Sequence, residues 1–377
     1  MGGRHVVAGT VLVVAVWTGS AEAEPYMAVR EGAACADCHT NRTGGGMRAL
    51  LVEMHAGDVL RLPRDGEGVF PAVDERFSPQ LTDWLRIGGD FRLIDELVFQ
   101  DEPDENGRVD NNTVFRRLDT NDIDVEQATI YGSITLIPEH LSFYVDQRFA
   151  PGGASNREAF GIIDGILPGR TYVKGGRFFP AWGLKLQDDE AFVGAQSGFN
   201  FDRTLSGIEV GRGGKGFNWF LTLADGSGDD ADPLLMASAF HAGDHLLAGG
   251  SFAYSAPDDN EISAATVFAG LPLGPFVLLG QGVYLVREVD GENTDSWIAY
   301  GELNWLLFRT VNMKLAFDYM DPDTDTSEDT RNRVSVGFEP FLDEFLQLRV
   351  FYRVLNGPED QPSANRDVLT LEAHLFF

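Results

Sequence analysis

The region from residue 84 to residue 377 repeats one unit, which is about ten residues of alternating polarity followed by a turn. In the first such segment Leu85 and Phe91 fall on one face, and Arg86 and Asp90 fall on the other. Successive side chains of a β-strand point to opposite faces, so this pattern predicts strands with one apolar and one polar face. A chain built this way is expected to be all-β.

The turns between these predicted strands alternate between short and long along about sixteen strands. The short turns are at residues 138–139, 168–169, 213–215, 242–243, 273–274, 309–310 and 342–343. The long or acidic ones are at residues 100–121, 150–156, 180–202, 225–232, 256–260, 289–294, 321–329 and 356–365. Transmembrane barrels have short turns on the periplasmic side and long loops outside. The sequence therefore predicts a transmembrane antiparallel β-barrel of about sixteen strands over residues 84–377.

The polar faces of the predicted strands carry charges of both signs. The side chains predicted to line the pore are Arg86, Asp90, Arg92, Arg148, Lys314, Arg349 and Arg353. Charged inward faces suit a water-filled lumen surrounded by lipid, and opposed charges set the ion preference of a channel. The alternative is that these charges only solubilise a wet wall through salt bridges. Aromatic residues near strand ends, Trp182 and Trp305 among them, are expected to form interfacial girdles.

A CxxCH motif lies near the N-terminus. Cys35 and Cys38 are the only two cysteines of the chain, and His39 follows directly. Two thiols at this spacing can bond the two vinyl groups of one haem, and the adjoining imidazole becomes the proximal iron ligand. A CxxC disulfide is one alternative for an exported protein, and a zinc site is weaker because a second cysteine pair is missing. We expect one covalently attached haem c at Cys35 and Cys38.

The residues around this motif divide the N-terminal part of the chain in two. Residues 1–23 have the positive start, the apolar stretch and the small-residue cleavage site of a secretion signal. Residues 24–83 are too few and too polar for a cytochrome domain with its own core. We expect 24–83 to be a haem-binding plug segment that folds into the periplasmic mouth or the lumen of the barrel.

The sixth iron ligand is less constrained than the fifth. His55 is the first expectation, because imidazole is a strong iron ligand, although an exposed surface histidine is the alternative. Met47, Met54 and His374 are the other candidates. A short amphipathic helix over residues 47–54 would bring two of the thioethers near the macrocycle.

The formal charge of −29 is spread over several acidic clusters and argues against nucleic-acid binding. The GxGxxG match at residues 211–216 lies on a predicted turn with no helix after it, so it does not indicate a nucleotide site. No serine–histidine or paired-carboxylate spacing favours hydrolysis. The chain is therefore more consistent with a carrier or a channel than with an enzyme.

Two segments carry a resemblance to known membrane proteins. The ending His374-Leu-Phe-Phe377 resembles the C-terminal strand of bacterial outer-membrane proteins. The stretch Gly176-Arg-Phe-Phe-Pro-Ala-Trp-Gly183 is similar to a segment of phosphate-selective porins. Residues 84–377 thus resemble a general or phosphate-selective porin of sixteen strands. The resemblance implies a bacterial outer membrane, lipid around the barrel and small ions or solutes in the lumen.

The same resemblance implies that the loop after the fifth strand folds inward as the constriction. The polar residues of this loop, at 180–202 and just after it, are Asp188, Asp189, Glu190, Asp202 and Arg203. It also implies that an even number of strands returns both termini to the periplasm. The haem segment would then lie on the periplasmic side or in the lumen.

With the CxxCH motif added, the chain resembles the porin–cytochrome conduits of extracellular respiration, although those thread many haems and this chain has one motif. The expected function is electron transfer at or across the outer membrane, with periplasmic or extracellular cytochromes as partners. One alternative is a solute or ion porin in which the haem is structural or a redox gate. The other is a haem enzyme that reduces a small diffusing substrate.

Overall fold

The computed structural model describes most of the chain after the predicted secretion signal. The described residues are 24–48, 79–109, 116–166, 168–200, 203–225, 233–256, 260–289, 291–308, 310–343 and 345–377. The predicted signal 1–23, most of the plug segment after residue 48, and the candidate ligands Met54 and His55 lie outside these ranges.

Strands dominate the described residues, and the helices are short. The strands are β1 Gln80–Thr82, β2 Leu85–Phe99, β3 Leu118–Ile137, β4 Leu141–Ala150, β5 Ser155–Asp164, β6 Thr171–Phe178, β7 Leu205–Arg212, β8 Gly216–Asp225, β9 Pro233–Gly243, β10 Leu246–Ser255, β11 Asn260–Leu273, β12 Phe276–Val289, β13 Glu292–Phe308, β14 Val311–Asp321, β15 Arg331–Asp343, β16 Leu346–Asn356 and β17 Arg366–Phe376. The helices are α1 Pro25–Arg30, α2 Cys35–Cys38 and α3 Phe192–Ala195, with a 3₁₀ turn at Pro362–Ala364. No helix among the described residues is long and apolar enough to cross a membrane.

Strands β2 to β17 form a closed antiparallel barrel. Each strand pairs with its neighbour in sequence, and β17 closes the barrel by pairing with β2, with Leu371 opposite Asp95. The short β1 adds to the start of β2. Closure pairs the backbone groups that an open sheet would leave at its edges, which a strand crossing lipid requires. The predicted sixteen-stranded antiparallel barrel is confirmed for the described residues.

The alternation of short turns and long loops also follows the prediction, with one exception. Strands β7 and β8 are joined by residues 213–215, whereas β6 and β7 are joined by the long loop 179–204. The connection at 289–294, predicted as long or acidic, is acidic but short, because Val289 pairs directly with Glu292.

The outer surface of the barrel is apolar along the strand centres. Val267 is 70% exposed and Phe317 is 48% exposed, and both point away from the lumen. Apolar outward faces are the expected surface of a barrel in lipid. Trp305 is 43% exposed on this outer surface, as a girdle residue would be.

The inner surface differs between two parts of the barrel. On β14–β17 and β2 it carries Lys314, Arg333, Arg349 and Asp90, and we call this the charged wall. On β8–β13 it is mostly apolar, and we call this the apolar wall; its buried apolar residues include Leu234, Met236, Val283, Leu285 and Ile298. A polar inward face was predicted for every strand, and for the apolar wall this is wrong. Both faces of those strands are apolar because one meets lipid and the other packs on protein inside the lumen.

Candidate cofactor site in the lumen

The two cysteines lie on one turn of helix. Helix α2 spans Cys35–Cys38, and Asp37 Oδ2 accepts a hydrogen bond of 3.0 Å from the backbone N–H of Ala34. Residues three apart share a face of a helix, so both thiols point to the same side. They are free thiols, not a disulfide. Burial raises the pKa of Cys35, and it raises the pKa of Cys38 to about 11, so both are protonated at neutral pH.

A glycine run turns the chain back directly after the motif. Gly44, Gly45 and Gly46 have φ angles of 99°, 84° and 62°, which favour glycine. A Cβ at Gly46 would lie 2.1 Å from the hydroxyl oxygen of Tyr144, so a side chain has no room there. The turn returns the chain to His39, which forms a β-bridge with Arg48. Residue 48 is therefore extended, and the predicted helix over 47–54 does not include it.

The imidazole of His39 is buried and has one nitrogen engaged. Its side chain is 5% exposed, and Nδ1 lies 3.4 Å from the carbonyl oxygen of Gly46. An Nδ1–H that donates to this carbonyl leaves the Nε2 lone pair for a metal, the usual arrangement of a metal-bound histidine. Burial, together with the nearby Arg48 guanidinium, lowers the pKa of His39 to about 4. The ring is therefore neutral at pH 7, which is the ligating form.

The barrel interior holds the loop that follows the motif. Asn41 Nδ2 donates to Glu158 Oε1 at 2.6 Å on β5, and Lys174 Nζ on β6 donates to Asn41 Oδ1 at 2.9 Å. Thr43 Oγ1 donates to the carbonyl oxygen of Phe179 at 2.6 Å. A segment too short to form its own core is thus fixed by polar contacts with strands on one side of the barrel.

Helix α1 fixes the same segment to both walls. Lys314 Nζ of the charged wall lies 2.7 Å from Glu24 Oε2, which is itself 3% exposed. Tyr26 and Val29 pack with Val277 and other inner residues of the apolar wall. Ion pairing on one side and apolar packing on the other place residues 24–30 across the lumen.

A cavity lies between this segment and the apolar wall. Cys35, Cys38 and His39 line one part of it. Its apolar lining comes from three inner aromatic residues of the barrel and from the inserted loop: Phe220, Phe240, Phe268, Ala181, Trp182 and Leu184. Cofactor pockets are typically mostly apolar, with a few placed polar groups. The donor set and the apolar lining of this cavity therefore fit a covalently attached haem.

The candidates for a sixth iron ligand lie elsewhere or outside the described residues. Met47 is 3% exposed and packs with Tyr144 and Phe160, and it does not line the cavity. His374 Nε2 lies 3.1 Å from Asp90 Oδ2 and does not line it either. Among the described residues that line the cavity, His39 is the only histidine and methionine is absent. The prediction of His55 stays a prediction.

Among the described residues, no group of three or more His, Cys, Asp or Glu side chains is arranged so that it could hold a metal ion without a macrocycle. A haem differs from such a site because the macrocycle supplies the equatorial ligands, and the protein adds one or two axial ones.

The residues predicted to line the pore mostly face inward, but they are bonded to protein groups. Arg92 Nε lies 3.3 Å from Asp90 Oδ1, and Arg349 Nη1 lies 3.0 Å from Glu372 Oε2. The remaining pairs are Lys314 with Glu339 at 3.4 Å, Arg353 with Thr370 at 2.8 Å, Arg86 with the carbonyl of Arg48 at 2.6 Å and Arg148 with Ser155 at 3.3 Å. Through these ion pairs and hydrogen bonds, the charged residues hold the inner wall and its inserted segments together.

The loop 179–204 folds into the lumen, as expected, and is attached to the charged wall. Asp188 Oδ2 lies 2.8 Å from Arg333 Nη2, and Arg333 also bonds Asp318 of β14 at 2.9 Å. Burial alone would raise the pKa of Asp188, but the guanidinium groups of Arg333 and Arg353 hold it well below its ordinary value. Glu190 lies 3.9 Å from Arg366. The opposed charges of loop and wall meet directly and do not face each other across an open gap.

The other side of this loop packs on the apolar wall. Phe192 and Trp182 belong to the same buried cluster as Val283 and Ile298. The prediction that Trp182 is a girdle residue is wrong, since it is 2% exposed inside the barrel. Arg203 lies over the Phe199 ring, 5.5 Å from its centre, and Asp202 is outside the described residues.

Sequence reasoning missed the aromatic lining of the cavity. Phe220, Phe240 and Phe268 lie on strands that read as apolar on both faces, such as Leu234-Leu-Met-Ala-Ser-Ala-Phe240. Continuous apolar runs indicate strands that are buried on both faces, and this signal marks the wall of the cavity.

Comparison with known proteins supports the fold and goes no further. No family model and no curated protein matches the chain. Among solved structures it is similar to an anion-selective porin from Comamonas acidovorans, with a TM-score of 0.60, 12% identity, and coverage of 78% of this chain and 99% of that one. It is also similar to a loop L8 deletion mutant of OmpT, an outer membrane protein of Vibrio cholerae, with a TM-score of 0.60, 11% identity, and coverage of 78% and 99%. It is also similar to the outer membrane channel DcaP of Acinetobacter baumannii, with a TM-score of 0.55, 12% identity, and coverage of 78% of this chain and 97% of that one. The barrel of this chain therefore has the sixteen-stranded fold of outer-membrane porins.

Proposed function

We propose that the chain is a bacterial outer-membrane barrel that carries one covalently attached c-type haem in its lumen and acts in electron transfer at or across that membrane. The observation that carries the proposal is the cavity lined by Cys35, Cys38 and His39. The porin fold and the apolar outer surface support the location in the outer membrane.

The residues around the cavity have separate roles in holding the group. Cys35 and Cys38 supply the thioether sulfurs, and His39 supplies a neutral Nε2. Phe220, Phe240 and Phe268 line the cavity and would exclude water from a haem held there. A bound haem supplies a one-electron redox centre, whose potential the protein tunes through burial and axial ligation.

One haem is too small to carry an electron across the ~30 Å hydrocarbon core by itself. A periplasmic or extracellular cytochrome, or a diffusible redox molecule, is therefore the expected partner. The filled lumen favours passage of electrons over passage of bulky solutes, because loop 179–204 and residues 24–30 occupy the space between the two walls.

Haem attachment is tested on protein matured in a periplasm. After denaturation, the wild-type chain is expected to keep its haem stain, and a Cys35→Ala, Cys38→Ala variant is expected to lose it. The exposed residue His245 provides a matched control for His39: His39→Ala should change the absorption spectrum, and His245→Ala should not. Wild-type protein without covalent haem would refute the proposal.

A second function is favoured by the attachment of the inserted loop. Because Asp188 and Arg333 join loop and wall, the barrel can also act as a solute or ion channel that opens when this contact breaks. The haem would then be structural or a redox gate. Single-channel conductance of oxidised and reduced protein separates the two, since electron transfer alone predicts equal conductance in both states.

The coordination state separates both functions from an enzymatic one. With ligands from His39 and His55 the haem would be six-coordinate and low-spin, without a position for substrate. The absence of a second histidine or methionine from the described cavity lining makes the spin state informative. A five-coordinate spectrum would instead support reduction of a small diffusing substrate.

A further inference from the structure

Trp182 presents a buried hydrogen-bond donor to the cavity. The residue lines the cavity and is 2% exposed, and its indole Nε1–H has no acceptor among the described residues. Buried polar groups are almost always hydrogen-bonded, and leaving one unpaired has a free-energy cost. An acceptor contributed by the occupant of the cavity would remove this cost.

The indole and the cysteines lie towards different ends of the barrel. Ala36, between the two cysteines, lies next to Gly213 in the short turn between β7 and β8, where an added Cβ would come within 2.5 Å. Trp182 packs instead on Phe199 of the inserted loop, with 4.5 Å between ring centres. Its cluster includes Leu234, at the long-loop end of β9. The cavity thus extends from the thiols at the short-turn end towards the indole at the constriction loop.

We propose that Trp182 Nε1–H donates a hydrogen bond to an anionic carboxylate oxygen of the cavity's occupant, which for a haem is a propionate. The inference rests on the proposed haem. In a haem bound through its vinyl groups at Cys35 and Cys38, the propionate edge would lie on the other side of the ring, towards the indole.

This contact makes Trp182 a positioning residue. It fixes the polar edge of the haem towards the constriction loop and so towards the long-loop side of the barrel. A hydrogen bond to a propionate also disperses its negative charge, and this negative charge stabilises the oxidised iron. Loss of the bond is therefore expected to favour oxidation.

The test compares haem-loaded full-length protein with Trp182→Phe, using Trp305→Phe as the matched control. Trp305 is 43% exposed on the outer surface and does not line the cavity. Trp182→Phe is expected to shift the propionate bending band in the resonance Raman spectrum. It is also expected to shift the redox equilibrium towards the oxidised form by about three- to tenfold, tenfold being 59 mV for one electron. Trp305→Phe should change neither quantity.

The outcomes separate the inference from the function on which it rests. Covalent haem with an unshifted band and potential in Trp182→Phe overturns the inference alone. Wild-type protein without covalent haem overturns the proposed function and the inference together. If Trp182→Phe does not fold, wild-type protein in D₂O replaces it: the propionate band should shift when the indole N–H becomes N–D, and an unchanged band overturns the inference.

Discussion

The apolar wall and the charged wall share one kind of outer surface but have opposite inner surfaces. On β8–β13 the lumen is lined by residues such as Val283 and Ile298, each 0% exposed. On β14–β17 and β2 it is lined by ion-paired residues such as Arg333 and Arg349. A water-filled porin needs polar groups all round its lumen. The difference shows that the lumen binds inserted segments of the chain, through apolar packing on one wall and through ion pairs on the other.

The inserted loop matches this division. Its aromatic residue Trp182 packs in the cluster of the apolar wall, and its acidic residues Asp188 and Glu190 face the charged wall. Apolar contacts are non-directional, whereas ion pairs with a fixed guanidinium specify position. The charged wall therefore sets the register of the loop, and the apolar wall supplies its adhesion.

The largest expected effect comes from placing a carboxylate on the apolar wall. Val283→Asp buries a charge with no partner against the loop, and we expect it to lower the free energy of unfolding by about 5 kcal/mol and to raise conductance. Ser335→Asp on the charged wall lies opposite Arg353 and should cost much less. Equal losses in chemical denaturation would mean that the two walls do not differ energetically.

Removing a cation from the charged wall should have the next largest effect. Arg333→Met removes the guanidinium that Asp188 and Asp318 share and leaves Asp188 with the more distant Arg353 at 3.7 Å, at a cost of about 3–5 kcal/mol. Conductance should rise as the loop detaches. Adding Asp188→Asn should recover part of the loss, because one buried charge is then removed; no recovery would show that the pair does not hold the loop.

The ion pair between Asp188 and Arg333 predicts that stability and conductance depend on pH. The folded protein holds the pKa of Asp188 below its ordinary value of 3.8, so the unfolded chain binds the proton more readily. Stability from this pair is then fully present above about pH 4 and is lost as the pH falls further. Conductance of the wild-type barrel should stay low down to about pH 4 and rise only below it.

Arginine substitutions on the outer surface should lower stability equally on strands of the charged wall and of the apolar wall. Phe317→Arg on β14 and Leu221→Arg on β8 place a charge near a strand centre in lipid, at a cost of about 2–4 kcal/mol each. Phe217→Arg, one residue from the end of β8, should cost about 0–1 kcal/mol. A large difference between Phe317→Arg and Leu221→Arg in the free energy of folding, measured by refolding from urea, would show that the outer surfaces of the two walls also differ. Gln347 is unsuitable as an inward control, because it is 2% exposed and lies 3.4 Å from His374.

The smallest effect is expected at an exposed ion pair of the haem segment. Arg170 lies 2.9 Å from Asp37, but its side chain is 51% exposed. Arg170→Gln should change the free energy of unfolding by less than about 1 kcal/mol. Asn41→Ala, which removes a buried partner of Glu158, should cost about 1–3 kcal/mol. Thermal unfolding measures both variants. A larger loss of stability in Arg170→Gln than in Asn41→Ala would contradict the conclusion that the buried contact holds the haem segment more strongly.

Much of the barrel was predictable because lipid imposes a strict pattern. Outward residues such as Phe91 and Phe317 must be apolar, so alternation gave strand number and orientation. The inner apolar wall was not predictable in the same way, since Val283 and Val267 are equally apolar although only Val283 faces inward. The site was half predictable: the CxxCH spacing is local, but its aromatic lining comes from strands about 200 residues away.

The sequence by itself determined the strand rhythm and the two thiols with their adjoining imidazole, because each depends on short-range spacing; the inward loop was expected only through the resemblance to porins. Only the tertiary structure decided what fills the lumen. Glu24 meets Lys314, and Asp188 meets Arg333, through contacts between residues far apart in the chain. Such pairs leave no periodic trace in a sequence, since each depends on where a closed barrel brings its walls together. The unpartnered indole of Trp182 was visible for the same reason only after the barrel had closed around it.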